Sequence, residues 1–253
     1  MKVGVVTFPD SNSDVDALNA LAVAGVDPVT LWHESPDLQG VSAVILPGGF
    51  AYGDYIRAGV IARFSPVMRG VSTFAAGGGH VLGICNGFQI LAEAGMVPGA
   101  LLRNRSLRFA CRIVAIKPER TDSPFTRAAT GQPIRIPIAH GEGCYYADEA
   151  TLDELERDGQ VLFRYVRDDG TPALDPDDPA NPNGSLRAIA GVCNSAGNVA
   201  GLMPHPERMS EAILGSDDGL QLIRSLVESA REWEAAGRPA LAAPAVTRVE
   251  AER

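Results

Sequence analysis

A cysteine between two glycines is the residue of this sequence best suited to chemistry. Cys85 lies in GICNG (83–87), where an apolar run ends and a helical pattern begins. This is the form of a nucleophile elbow with cysteine in place of serine, a sharp strand-to-helix turn that lifts the nucleophile off a sheet. At a helix N-terminus, partial positive charge favours the thiolate and the backbone N–H of Asn86 can face an oxyanion. Taken alone, the motif fits a buried structural thiol equally well.

A second oxyanion donor is predicted in the loop PGGF (47–50). Glycines in this loop allow backbone amides to turn inward where a side chain would obstruct a substrate. The candidate donors are Gly49 and Phe50. Without the elbow, the same residues would be interpreted as a plain Gly-Gly turn.

The candidate general base is His205, in MPHPER (203–208). Pro206 disfavours the α conformation at His205, so the segment is expected to be extended. Residues i and i+2 of an extended segment face the same way, which places Glu207 where it can orient the imidazole. The alternative is a proline-rich turn with a solvated glutamate. The other histidines at strand ends, His33 and His80, are predicted to make local hydrogen bonds.

The elements that must position these residues predict an α/β protein. Apolar strands at 2–8, 29–33, 41–47 and 80–84 alternate with helical patterns at 13–24, 55–76 and after residue 85. This alternation favours an open, mostly parallel, doubly wound sheet. The second half predicts a mixed or antiparallel extension, with strands at 107–116, 134–140, 161–167, 186–193 and 198–203.

The remaining segments suggest one domain with a tail. Residues 168–185 are rich in Pro, Asp and Asn and predict a long loop. A last helix is predicted from about residue 218 to 235. We therefore expect a single domain over 1–235 and a poorly ordered tail over 236–253.

Composition excludes several functional classes. Lys and Arg number 22 against 31 Asp and Glu, a formal net charge of −9 that disfavours nucleic acid and anionic membranes as partners. No apolar stretch approaches the roughly 20 residues that span a bilayer, so a cytoplasmic location is expected. The 4 cysteines are widely spaced without a CxxC pair, which argues against a disulfide framework and a metal site.

Together these motifs resemble the class I (triad) glutamine amidotransferases. Cys, His and Glu follow in that order, with GICNGFQ as the elbow and PGGF as the oxyanion loop. Further stretches resemble the glutaminase subunits of phosphoribosylformylglycinamidine synthase, from purine biosynthesis: FAYGDYIRAG (50–59), AHGEGCYY (139–146), NPNGS (181–185) and GNVAGLMPHPER (197–208). The resemblance extends from Lys2 to about Ser229 and departs at Ala51, where serine is expected.

The resemblance implies a flavodoxin-like fold and hydrolysis of glutamine to glutamate and ammonia. Cys85 would be the nucleophile, His205 the general base and acid, and Glu207 the orienting carboxylate. Glutamine-binding residues implied in the same way are Gln89, Gly141 and Glu142. His140 is left open between this pocket and a structural role.

A partner is also implied, because the sequence has no GxxxxGK[ST] phosphate-binding loop. The resemblance implies a synthetase subunit that uses ATP and magnesium to make formylglycinamidine ribonucleotide from formylglycinamide ribonucleotide, together with a small bridging subunit. This chain itself would hold no cofactor. Two alternatives stay open: a Cys-elbow α/β hydrolase or peptidase of another family, and a non-catalytic regulatory subunit that keeps the fold.

Overall fold

A nine-stranded sheet forms the centre of the computed structural model, which describes residues 1–239. The strands are β1 (Lys2–Thr7), β2 (Asp27–Trp32), β3 (Ala43–Leu46), β4 (His80–Ile84), β5 (Ala100–Arg103), β6 (Ala110–Pro118), β7 (Ile134–His140), β8 (Glu142–Tyr146), β9 (Val161–Tyr165), β10 (Ile189–Cys193) and β11 (Val199–Leu202). The helices are α1 (Asp14–Val23), α2 (Pro66–Ala76), α3 (Asn86–Glu93), α4 (Glu149–Arg157) and α5 (Leu220–Ala235). The sheet order is β2-β1-β3-β4-β11-β10-β9-β6-β7, and β5 pairs with β8 separately.

The strands in one half of the sheet are parallel. Strands β2, β1, β3, β4 and β11 pair in parallel, and every residue of β3 and β4 is buried. Such continuous burial arises when helices cover both faces, which is why β3 and most of β4 are apolar in the sequence. The order β2-β1-β3-β4 is that of flavodoxin-like sheets, so the predicted doubly wound architecture is confirmed.

The strands in the other half of the sheet are antiparallel, as predicted. Strand β10 runs antiparallel to β11, and β9, β6 and β7 continue that pattern. In β7, Ile134, Ile136 and Ile138 are fully enclosed while Arg135 is exposed. This alternation is the period of two that a sheet with one buried face requires.

The predicted helix over 55–76 is wrong in its first half. Only α2 is α-helical, after a short 3-10 turn at Ala62–Phe64. Before them, within the predicted range, the backbone takes left-handed conformations at Ile56 and Gly59, with φ of 71° and 81°, which no helix accommodates. Pro66 fixes where α2 begins, because proline suits the first position of a helix.

The loop predicted over 168–185 is confirmed, and hydrogen bonds hold it against strand β8. No strand or helix lies in the described chain between Tyr165 and Leu186. Asn183 Nδ2 donates to the Gly143 carbonyl at 2.8 Å, and Ser185 Oγ accepts from the Tyr145 N–H at 3.0 Å. These bonds attach the loop to β8. Strands β5 and β8 and helix α4 are elements that the sequence pattern does not predict.

The last helix ends at Ala235, as predicted, and Arg238 Nη2 then donates to the Gly40 carbonyl at 2.9 Å. The tail predicted over 236–253 falls mostly on residues 240–253, which lie outside the described residues, so its disorder stays a prediction.

Within residues 1–239, no helix combines the length and apolar character needed to cross a membrane, and no three His, Cys, Asp or Glu side chains are grouped as a metal site.

Candidate active site

Cys85 occupies the turn between β4 and α3 in a strained conformation. Its φ of 49° and ψ of −106° are rare for a residue with a side chain, and its N–H donates to the Leu202 carbonyl at 2.8 Å. The flanking glycines make the turn possible. A Cβ on Gly87 would lie 2.0 Å from the Leu46 carbonyl oxygen, and one on Gly83 would lie 2.6 Å from the Gly87 carbonyl oxygen. The geometry is therefore that of the predicted elbow.

Strand β11 brings His205 to the same edge of the sheet. Leu202 lies opposite Ile84 in the parallel pairing of β11 with β4, so the two chains leave the sheet side by side. The segment after His205 is not extended as predicted, because Pro206–Met209 form a 3-10 turn that contains Glu207. His205 Nδ1 nevertheless lies 2.6 Å from Glu207 Oε1, and both residues are 2% exposed. An Nδ1–H donated to this carboxylate holds the ring in one tautomer and leaves Nε2 as the base. In the described part of the chain Nε2 has no hydrogen-bond partner.

The charges around His205 favour its protonated form. Burial alone lowers the pKa of His205, but the Glu207 carboxylate and the nearby Cys85 sulfur outweigh it, and the pKa rises from 6.5 to about 10. The ring also packs against the oxyanion loop, because a Cβ on Gly48 would lie 2.5 Å from His205 Cε1. An imidazolium held beside the sulfur can stabilise a thiolate and later donate its proton.

A cavity of about 180 Å³ opens beside the sulfur. Its walls contain Cys85, the predicted oxyanion-loop residues and the predicted glutamine-binding residues, together with four others: Gly49, Phe50, Asp54, Cys85, Gln89, Phe109, Ala139, His140, Gly141 and Glu142. The structure thus brings together residues far apart in the chain. A larger cavity of about 510 Å³ lies near β6 and β7 and contains none of the predicted residues.

The predicted oxyanion donors differ in availability. The Asn86 N–H lies in the first turn of α3, where no acceptor exists within the helix. The Phe50 N–H donates to the Asp10 carbonyl at 3.2 Å, so it is occupied in this conformation. Gly49 has φ of 153°, and a Cβ there would lie 2.9 Å from Ser11 Cα, so the loop needs glycine at this position.

Gln89 connects two walls of the cavity. Its Nε2 donates to the Glu142 carbonyl at 2.5 Å, and its Oε1 accepts from Asn86 Nδ2 at 2.9 Å. Asn86 Oδ1 in turn accepts from the Ala51 N–H at 3.0 Å. Both polar ends of the Gln89 side chain are therefore engaged by the protein in this conformation, which fixes α3 relative to the segment at 141–142.

Asp54 is a wall residue that the sequence pattern does not single out, although it lies in the FAYGDYIRAG motif. Its Oδ1 accepts from Asn86 Nδ2 at 3.1 Å. Burial, and then the charge of Glu142, raise the pKa of Asp54 from 3.8 to about 6, while the Asn86 hydrogen bond acts in the opposite direction. Two acidic side chains thus share the wall of one small cavity.

Asp54→Asn is expected to stabilise the protein at high pH only. Because the pKa of Asp54 is higher in the folded state, the folded state binds the proton more tightly, so ionised Asp54 destabilises it above about pH 6. This penalty disappears as the pH falls towards the unfolded value of 3.8. The variant should exceed the wild-type Tm by about 2–4 °C near pH 8, the effect of ~1 kcal/mol in such a domain, and by much less near pH 4.

Thermal unfolding of both proteins across this pH range measures the difference. Asp27→Asn, which changes an exposed aspartate on β2, is the matched control. An equal Tm difference between Asp54→Asn and the wild type at both ends of the pH range would contradict the raised pKa of Asp54.

The comparisons with known proteins agree with this geometry. Residues 1–233 match the CobB/CobQ-like glutamine amidotransferase domain family. The phosphoribosylformylglycinamidine synthase subunit PurQ of Gloeobacter violaceus is 56% identical over 232 residues, which cover 91% of this chain and 98% of that protein. PurQ of Rubrobacter xylanophilus is 54% identical, with 91% and 100% covered.

Solved structures give the same result. A chain in the structure of PurLQS from Thermotoga maritima matches with a TM-score of 0.77 and 41% identity, covering 90% of this chain and 97% of that one. A putative GMP synthase subunit from Thermoplasma acidophilum shares the fold, with a TM-score of 0.64, 13% identity and 94% and 98% covered. The chain therefore belongs to the CobB/CobQ-like glutamine amidotransferases, in the branch of the PurQ subunits of phosphoribosylformylglycinamidine synthase.

Proposed function

We propose that this chain hydrolyses glutamine to glutamate and ammonia through Cys85, His205 and Glu207. The observation that carries the proposal is the position of Cys85 at an elbow on the cavity wall, beside an imidazole whose Nδ1 lies 2.6 Å from a buried carboxylate. Membership of a glutamine amidotransferase family supports glutamine as the substrate. It also sets aside a Cys-elbow hydrolase or peptidase of another family.

The first half of the reaction forms a thioester. The Cys85 sulfur attacks the side-chain carbonyl carbon of glutamine, and the carbonyl oxygen becomes an oxyanion that accepts from the Asn86 N–H, with Gly49 on the facing loop. Protonated His205 then gives its proton to the nitrogen. The carbon–nitrogen bond breaks, ammonia leaves, and the glutamyl group stays on the sulfur.

The second half releases glutamate. His205 is now neutral and takes a proton from the water that attacks the thioester carbon. Collapse of the tetrahedral intermediate returns the thiolate and the imidazolium, so the triad ends as it began. Glu207 keeps Nδ1 as the donor throughout and stabilises the positive ring, which is the effect of its charge on the pKa of His205.

The amino acid end of glutamine is proposed to lie against the wall formed by Gln89, Gly141 and Glu142. These residues line the same cavity as Gly49 and Phe50 of the oxyanion loop. The Gln89 bond to the Glu142 carbonyl holds that wall in place, which favours one orientation of the substrate.

A complex is part of the proposal. Ammonia is protonated in neutral water and then no longer acts as a nucleophile, so a protected path to a synthetase is needed. We propose a cytoplasmic assembly of this chain with a synthetase subunit, together with a small bridging subunit. The synthetase would use ATP and magnesium to convert formylglycinamide ribonucleotide to formylglycinamidine ribonucleotide, and this chain would carry no cofactor or metal. The PurQ relatives and the PurLQS structure support this assignment. Half-exposed Phe50 and Phe109, whose rings stack 6.5 Å apart on the cavity wall, suit contact with a partner.

Labelling with an electrophilic glutamine analogue, such as a diazoketone, tests the function. Cys85 is only 4% exposed, whereas Cys111 is exposed, so a reagent that follows exposure alone would modify Cys111. We expect mass spectrometry to find the adduct on Cys85 and excess glutamine to prevent it. An unmodified Cys85 in the assembled complex would instead indicate the non-catalytic subunit.

A further inference from the structure

Asp54 is an acidic residue on the cavity wall that the mechanism above does not use. It ends the short turn Ala51–Asp54, is partly buried, and lines the same cavity as Cys85. Its Oδ1 accepts from Asn86 Nδ2 at 3.1 Å, and the same nitrogen donates to Gln89 Oε1 at 2.9 Å. The Asp54 carboxylate is therefore held at the start of α3, next to the side chain of another residue of the cavity wall.

The second carboxylate oxygen of Asp54 is open to a ligand. Oδ1 forms the bond to Asn86, whereas Oδ2 has no hydrogen-bond partner within residues 1–239. Oδ2 is also not enclosed, unlike the unpartnered atoms His205 Nε2 and Glu207 Oε2, which are buried. An ionised carboxylate has about four acceptor positions, so Asp54 can accept from a further donor.

The charges around the cavity favour a positively charged donor. Of the described residues on its wall, Asp54 and Glu142 are acidic and none is a lysine or an arginine. Burial, and then the charge of Glu142, raise the pKa of Asp54 to about 6, so the two carboxylates repel each other. Glu142 has a counterion in Arg103 at 3.6 Å, whereas Asp54 has none in the described chain. A bound cation would relieve the repulsion and favour ionised Asp54.

We propose that Asp54 accepts a hydrogen bond from the α-ammonium group of bound glutamine and so selects the free amino acid over other primary amides. The inference rests on the function proposed above. Glutamine carries a carboxamide at one end, which must lie at the Cys85 sulfur, and its only cation at the other. Asp54 Oδ2 is the oxygen of the cavity wall that combines negative charge, an open acceptor position and the lack of a counterion.

Asn86 connects the recognition of the two ends of the substrate. Its backbone N–H is the proposed donor to the oxyanion, while its side chain donates to Asp54 and accepts from the Ala51 N–H. An amide without the ammonium group can still reach Cys85, but it leaves the Asp54 charge unpaired beside Glu142. Sites built around a polar group discriminate strongly against ligands that lack its partner, because the group in the site is left unpaired.

Two substrates that differ only at the α-carbon test this role. Glutaramate keeps the carboxamide and the carboxylate of L-glutamine and lacks the amino group, and both compounds release ammonia on hydrolysis. In the complex assembled with the synthetase partners, Asp54→Asn should lower kcat/KM for glutamine about 10–100-fold and change that for glutaramate by less than about threefold. Ammonia release measures both reactions.

The kinetic constants for glutamine alone give a second readout. The loss should be in KM, with kcat within about threefold of the wild type, because an ammonium contact is the same in the ground state and the transition state. A disturbed triad would instead lower kcat. Asp54→Glu, which keeps the charge, should recover part of the loss, and Asp27→Asn, on the exposed start of β2, should behave as the wild type.

A parallel decrease for both substrates, an unchanged KM for glutamine, or an effect on kcat alone would overturn the inference. A larger selective loss with Glu142→Gln than with Asp54→Asn would also overturn it, since the ammonium group would then lie at Glu142. If the wild type hydrolyses glutaramate too slowly to measure, the KM of Asp54→Asn for glutamine decides between the outcomes. A wild-type complex that hydrolyses neither substrate would overturn the proposed function and the inference with it.

Discussion

Cys85→Ala is expected to abolish glutamine-dependent synthesis in the assembled complex while synthesis from added ammonium continues. Without the sulfur no thioester forms, and loss of a triad nucleophile lowers turnover by a factor on the order of 10⁵ to 10⁶. Ammonium supplies ammonia without this chain's chemistry, so the synthetase reaction should keep its wild-type rate. Product formation is measured with each nitrogen source in turn.

The control for this experiment is Cys111→Ala, which removes an exposed thiol away from the cavity. It should leave both reactions unchanged. If Cys85→Ala lost both reactions equally, the variant would have disturbed the fold or the complex, and thermal unfolding of the variant would reveal this. If it retained glutamine-dependent synthesis, Cys85 would not be the nucleophile.

Glu207→Gln is expected to lower kcat about 10²–10⁴-fold and to leave KM for glutamine nearly unchanged. The amide has nearly the same shape, but it no longer stabilises the imidazolium that forms in the transition state. The Glu207 charge also raises the pKa of His205, so its removal should shift the alkaline limb of the pH–rate profile to lower pH. Steady-state kinetics across pH measure both effects.

Glu211→Gln provides the matched change, because this glutamate is exposed and lies four residues further along the chain. It should reproduce wild-type kinetics. An effect of Glu207→Gln on KM alone would contradict its role in orienting His205, since that role acts on the transition state rather than on substrate affinity.

Local features of the site could be predicted from the sequence. The apolar run at 80–84 and the glycines on both sides of Cys85 specify a strand, a sharp turn and a helix, because each signal depends on neighbouring residues. The pairing of His205 with Glu207 is local too, because the two residues are only two apart in the sequence, although a 3-10 turn rather than the predicted extended segment brings them together. The approach of His205 to Cys85 depends instead on β11 lying beside β4, and no local sequence pattern specifies that pairing.

Conformations held by distant contacts could not be predicted. Tyr52 adopts a left-handed conformation while its hydroxyl lies 2.8 Å from His33 Nδ1 and 2.9 Å from Ser65 Oγ. These partners are 19 and 13 residues away along the chain, so local composition does not reveal them. Local composition therefore predicts a helix from residue 55, directly after this turn. Asp54 is not recognisable from the sequence for the same reason, because its place in the cavity wall depends on this turn. The local hydrogen bond expected for His33 is in fact this contact with Tyr52.

The backbone pairing of β4 with β11 determines which sequence changes this enzyme can tolerate. The ends of the two strands are aligned by backbone bonds, with the Cys85 N–H donating to the Leu202 carbonyl at 2.8 Å, and no side chain is needed for that alignment. Slipping one strand by a single residue would shift its end by about 3.3 Å, more than a hydrogen bond tolerates. Amino acids along these strands can therefore be exchanged if the packing is kept, whereas an insertion or deletion near residues 84 or 202 would separate sulfur from imidazole.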